Sequence, residues 1–176
     1  MRFDLINYTG RNMRLQGRPM ALEIIDWVVE EQEKLKKPLV VYLSLHLVKS
    51  IDYDFAKTIL NHNLRLGLPI CFVFCGKSFE HRKLLSEHAK LLKRCFIYKT
   101  IESCGISLHG FYNRNEILIF EFVQFIGSTN FAEVSENTKI DIADCKFYLY
   151  RMAEKGLIIR QTNAHGAIYH YEKYEI

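Results

Sequence analysis

The sequence predicts an α/β fold: a mainly parallel sheet flanked by helices over residues 1–108, joined to a smaller α+β domain over residues 111–176. Three observations carry this. First, PLVVYLSLHLV (Pro38 to Val48) and PICFVFC (Pro69 to Cys75) are short apolar runs rich in strand formers. They read as strands buried on both faces of a sheet. Second, amphipathic segments alternate with them over short connections, and that order implies parallel strands joined by right-handed crossovers. Third, beyond Gly110 the pattern changes to three helical segments followed by two strand-like runs.

In chain order, Phe3 to Tyr8 alternates loosely and predicts a short first strand, and the polar stretch Thr9 to Gly17 a loop. Pro19 opens a helix, since the N–H it lacks is unpaired at a helix start anyway. Leu22, Ile25, Val28 and Val29 recur at helical spacing, Lys34, Lys36 and Lys37 suit the negative end of the helix dipole, and Pro38 stops the helix. Asp52 to Asn63 is a second helix with Phe55, Ile59 and Leu60 inward, and Gly67 and Pro69 mark a turn. After the Pro69 strand, Ser78 caps a helix running to about Leu92, with Leu84, Leu85, Ala89 and Leu92 at core spacing. Cys95 to Tyr98 reads as a third strand and Ile101 to Leu108 as a last short helix.

In the second domain, Asn113 or Asn115 caps a helix containing Ile117, Phe120, Phe122, Val123 and Phe125, which Gly127-Ser128-Thr129 breaks. A short helix follows (Asn130 to Glu136), then a turn at Thr138, then a longer helix from Ile140 to Lys155 stopped by Gly156. Leu157 to Gln161 and Ala167 to Tyr174 read as strands around a Thr162 to Gly166 loop.

Charge is distributed unevenly. Residues 1–110 carry 17 Lys or Arg against 11 Asp or Glu, and residues 111–176 carry 7 against 9. The five cysteines are odd in number and form no CxxC, which fits a reducing compartment. No apolar run has the length of a signal peptide or membrane span, so the expectation is a cytoplasmic protein without membrane attachment.

Two resemblances follow from these residues. YRMAEKGLIIRQ resembles the end of the third helix and first wing strand of winged helix-turn-helix regulators, with Leu149, Met152, Gly156, Leu157, Ile158 and Arg160 at the characteristic positions. Pro38 to Cys104 resembles a STAS domain, the fold of bacterial anti-sigma-factor antagonists. It carries that likeness in LVVYLSLHLVKSIDYDFAKTIL, LGLPICFVFCGKSFEHRKLL and FIYKTIESC, and is closer to divergent members with a Phe-Ala pair, here Phe55-Ala56. Where such antagonists present a phosphorylated serine, this chain has Tyr53, followed by Asp54, so a phosphoserine switch is not implied.

The candidate chemistry divides between the two domains. Asp52, Tyr53 and Asp54 follow a strand, where α/β sheets place ligands. Gly76-Lys77-Ser78 opens a helix but lacks the earlier glycine of a P-loop, since Cys71 stands there. These six residues form a ligand or partner surface. His81 and His88 lack metal-ligand spacing, and no catalytic residue, metal or cofactor is predicted. In the second domain, Lys139, Lys146, Tyr148 and Arg151 on the third helix and Arg160, Gln161, Asn163 and His165 on the wing are candidate DNA contacts. Asp141 and Asp144, at the start of the same helix, would repel phosphates. The resemblances together imply a non-enzymatic regulator, with a STAS-like sensing domain and a winged helix that binds DNA. A protein-interaction adaptor of the antagonist type without DNA binding is the alternative. A homodimer would add avidity to a weakly basic module.

Overall fold

The computed structural model describes residues 2–4, 14–35, 39–62, 70–101, 105–164 and 166–170. The extension of the first strand to Tyr8, the loop from Thr9 up to residue 13, Pro38, the Gly67–Pro69 turn, Cys104, His165 and the last strand beyond His170 lie outside them. The chain divides into two compact units, Met1–Phe111 and Tyr112–Ile176.

The first unit runs β1 (Arg2–Asp4), β2 (Arg14–Leu15), α1 (Gly17–Leu35), β3 (Leu39–Ser44), β4 (Ser50–Ile51), α2 (Tyr53–Asn61), β5 (Ile70–Gly76), α3 (Phe79–Leu91), β6 (Cys95–Thr100) and β7 (Ile106–Gly110). It is α/β, as the alternation of apolar runs and amphipathic helices requires. The main sheet has the order β1-β3-β5-β6-β7. The first four strands are parallel and β7 returns antiparallel on β6. Every residue of β3 and β5 is buried. Helices supply the cover: Ala21, Ile24, Ile25 and Val28 of α1, Phe55, Ala56 and Ile59 of α2, and Leu85 and Ala89 of α3 join Val41, Leu43, Phe74 and Phe96 in one core. The Phe74 and Phe96 rings meet edge-on at 5.5 Å, a favoured aromatic geometry.

The short helix expected over Ile101 to Leu108 is not formed. Residues 106–110 are strand β7, with Leu108 opposite Ile97 and Ser107 opposite Tyr98. The period-2 pattern of Ile106-Ser107-Leu108-His109 wins, because pairing satisfies the open edge of β6. Thr100 N–H donates to the Gly105 carbonyl at 2.9 Å, closing the hairpin. Gly110 ends it at φ +100°, where a Cβ would lie 2.5 Å from the Arg94 carbonyl oxygen, so only glycine fits.

The second unit runs α4 (Arg114–Ile126), β8 (Ser128–Thr129), α5 (Phe131–Thr138), α6 (Ile142–Glu154), β9 (Ile159–Asn163) and β10 (Gly166–His170). Three helices are followed by a hairpin, and the strands form an antiparallel sheet of order β8-β10-β9. Each helix start has its own polar lock. Asn113 and Glu116 form a reciprocal capping box at α4, Asn130 and Glu133 another at α5, and the Asp141 carboxylate accepts the Ala143 N–H at α6. At the end of α6, Gly156 takes φ +67°. Its N–H donates to the Ala153 carbonyl at 3.0 Å and the Leu157 N–H to the Met152 carbonyl at 2.9 Å, which is a Schellman closure. That closure holds Leu157 and delays β9 to Ile159. Thr129, in the segment read as a break, pairs with Tyr169. The hairpin strands also extend inward to Asn163 and Gly166, into the stretch expected as loop.

The second core gathers Ile119, Phe120, Val123, Val134, Cys145, Leu149, Met152 and Tyr169. Within it, the Lys155 ammonium donates to the Glu116 carboxylate, both side chains being more than nine-tenths buried. The pair joins the start of α4 to the end of α6. Among the described residues no helix is long and apolar enough to cross a membrane.

Candidate functional site

In the first unit, Asp52 has a structural task. One carboxylate oxygen accepts the Phe55 N–H at 2.8 Å and the other the Gly17 N–H at 2.7 Å. A single negative charge therefore caps α2 and holds the first residue of α1, where both helix dipoles favour it. The two-residue pairing of β2 with β4 brings these helix starts together. Tyr53 and Asp54, the next two residues, are exposed. Tyr53 meets the His88 ring edge-on at 5.2 Å, and the Lys57 ammonium sits 5.7 Å from the Tyr53 ring centre. Behind them a groove of about 360 Å³ between α1 and α2 is lined by Arg18, Lys57 and His62, with Asp54, Thr58, Asn61, Leu22 and Ile25. The groove has no signature in the sequence. Its lining residues lie on two helices and only folding brings them together.

Gly76, Lys77 and Ser78 form the turn into α3. The Ser78 hydroxyl accepts the His81 N–H at 3.3 Å, and the Tyr98 hydroxyl donates to the Ser78 carbonyl at 3.3 Å. A Cβ on Gly76 would lie 2.6 Å from that Tyr98 hydroxyl. The space beside Gly76 thus holds a phenol. Lys77 is exposed. Nearby, Ser107 Oγ and His109 Nε2 are 2.8 Å apart on β7. Burial, reinforced by the Arg82 charge, holds the His109 imidazole below its ordinary value, which favours the neutral form. Burial likewise pushes the Tyr98 phenol up, Cys75 adding to the rise and Arg82 opposing it. The Cys71 thiol, fully enclosed, is pushed up to about 12 and is inert as a nucleophile at neutral pH. Among the described residues no three His, Cys, Asp or Glu side chains gather closely enough to hold a metal.

In the second unit, Cys145, Leu149 and Met152 turn inward from α6. The helical period then sends Ile142, Asp144, Lys146, Phe147, Tyr150, Arg151 and Glu154 outward, and all are exposed. Phe147 is 53% and Tyr150 47% exposed. Cations lie over aromatic rings: Arg151 at 5.2 Å from the Phe147 centre, Arg160 of β9 at 5.5 Å from Tyr150, and Lys146 at 4.4 Å from Phe131. Arg151 and Arg160, named from sequence, thus come together across Phe147 and Tyr150, which were not. The spacing 147, 150, 151 opposite 145, 149, 152 was the available signal.

Lys139 is exposed just before α6, in the left-handed conformation (φ +59°) that ends α5. Gln161 is exposed on β9, and Asn163 closes that strand at the hairpin. Tyr148 turns the other way: it is half-buried, and its hydroxyl accepts a hydrogen bond from the Asn113 side-chain amide at 3.2 Å. His165 lies outside the described residues. The outer side of α6 therefore combines Lys146 and Arg151 with Asp144 and Glu154, nearly balanced in charge, around two aromatic rings.

No protein-family model matches this chain, and no curated protein matches it.

Proposed function

We propose that the chain is a non-enzymatic regulatory protein in which a STAS-like unit is joined to a winged helix-turn-helix unit, and that the outer face of α6 binds a protein partner. The observation that carries this reading is the contiguous set Phe147, Tyr150, Arg151 and Arg160, aromatic rings half in solvent with guanidinium groups laid over them. Aromatic and Arg side chains dominate the energetics of protein interfaces. Duplex affinity comes largely from Lys and Arg neutralising phosphates, and nearby carboxylates oppose it. The exposed candidates here are Lys139, Lys146, Arg151 and Arg160, set against Asp141, Asp144 and Glu154 on the same helix and its cap. The partner that fits presents an apolar centre flanked by carboxylates.

The second reading is duplex DNA, favoured by those four cations together with Gln161 on the hairpin.

The test measures both ligands. Fluorescence anisotropy with a nonspecific duplex at low salt is expected to show no salt-dependent binding. A protein that co-purifies stoichiometrically is expected to be lost from Phe147→Ala and Tyr150→Ala chains, each weakening it by about 2 kcal/mol, roughly thirtyfold. Duplex binding that falls steeply with salt and weakens in Arg151→Ala or Arg160→Ala would replace this reading with the second.

A further inference from the structure

Helix α4 is apolar on two sides. Ile119, Phe120 and Val123 face the core of its unit. On the opposite side Leu118, Phe122 and Phe125 follow at i, i+4 and i+7, with Ile126 beside them. Phe125 is 78% and Ile126 49% exposed. A surface helix that packs on one side only turns charge outward there. Here the outward charges are Arg114 and Glu121, seven residues or about two turns apart, along one edge of the stripe. Among the described residues neither makes a salt bridge.

That pattern is self-complementary. An isologous contact repeats each pairing twice about its two-fold axis. If two α4 helices pack antiparallel with the axis beside Ile117 and Leu118, Arg114 of one copy lies against Glu121 of the other, and the reverse pair forms at the other end. The apolar stripe closes between them. A parallel arrangement, with its axis along the helices, would instead set this charged edge against the uncharged opposite edge of the partner, leaving Arg114 and Glu121 without opposite charges. We infer that the outer face of α4 is a homodimer interface whose occupant is α4 of a second copy, antiparallel, with reciprocal Arg114–Glu121 ion pairs. The stripe and the α6 face use different residues, so variants of α4 test dimerisation apart from the partner proposed above.

The experiment is sedimentation equilibrium of the full chain over a concentration series, with circular dichroism to verify folding. The wild-type chain is expected to sediment at twice its chain mass, and Phe125→Glu to raise the dimer dissociation constant at least about a hundredfold. Arg114→Glu alone and Glu121→Arg alone are each expected to weaken it about tenfold. The combined swap is expected to restore it to within about threefold of wild type, because both reciprocal pairs re-form with reversed sign. These two positions are exposed and outside the core, so the charge series remains informative if Phe125→Glu fails to fold. A chain that stays monomeric at about 100 µM, a dimer indifferent to both series, or a double swap no better than the single variants would overturn the inference.

Discussion

In the first unit every residue of β3 and β5 is buried, and the helices that cover the sheet send Ile24, Val28, Phe55, Ile59 and Leu85 inward. In the second unit α4 and α6 bury one face each, yet leave Phe125, Phe147 and Tyr150 substantially in water. The charge balance runs the same way. The sheet unit holds the excess of basic residues, whereas the helical unit is slightly acidic. The sheet unit is not free of such rings, since Phe79 at the start of α3 is also exposed with Arg82 over it, but the proposal of a protein partner rests on the second unit, where the exposed rings of α6 sit among balanced charges. The sheet unit resembles a scaffold whose polar candidates hold helices in place.

The sharpest way to separate the two units is through their buried polar anchors. Replacing Glu116 with Ala removes the carboxylate that the Lys155 ammonium meets and half of the Asn113 capping box. A loss of about 3–5 kcal/mol is expected. Hydrogen exchange should show it confined to residues after Tyr112, with the amides of β3 and β5 as protected as before. Loss of protection in the strands as well would mean that the units do not fold independently.

Asp52→Ala is the corresponding change in the first unit and a smaller one. It removes acceptors from Phe55 N–H and Gly17 N–H together, and about 2–3 kcal/mol of stability should go with them. Denaturant unfolding monitored at Trp27, on α1, measures this. A change below about 0.5 kcal/mol would reassign Asp52 from helix clamp to exposed partner surface.

The smallest effect concerns pH. Because the folded unit holds His109 below the ordinary imidazole value of 6.5, the unfolded chain takes up its proton first as pH falls. Stability from this residue is complete above about pH 6.5 and is lost as pH drops from there through the folded value. Nuclear magnetic resonance should give a His109 midpoint below 6.5, and His109→Phe should flatten part of the acid loss of stability. A midpoint at or above 6.5 would contradict the burial argument.

Much of this architecture was legible because it rests on local chemistry. The apolar runs announce the buried strands Leu39–Ser44 and Ile70–Gly76, although the first stops short of the expected Val48 at a turn where Leu47 takes φ +67°. Ser78 and Asn113 are caps by residue type and position, and Gly156 ends its helix where only a left-handed residue can. Elements set by distant pairing were not legible. The two apolar–polar alternations of Ile106–His109 do not by themselves exclude a helix, and the segment becomes a strand because the edge of β6 is open to it. Ser128–Thr129 is two residues whose partner lies forty residues on. The same holds for the candidate sites. Counting donors singled out Arg151 and Arg160 but passed over Phe147 and Tyr150, since an aromatic residue in a helix is usually core. The half-buried position of Tyr148 depends on Asn113, which is 35 residues away.

The most direct test of the protein-binding reading places a photo-crosslinking amino acid at position 147 of the full chain, in the cells that produce it, and identifies what is trapped. A single polypeptide adduct, absent when Tyr150 or Arg151 is also replaced by Ala, is the expected result. A nucleic-acid adduct, or no adduct from a chain that is folded and abundant, would contradict it.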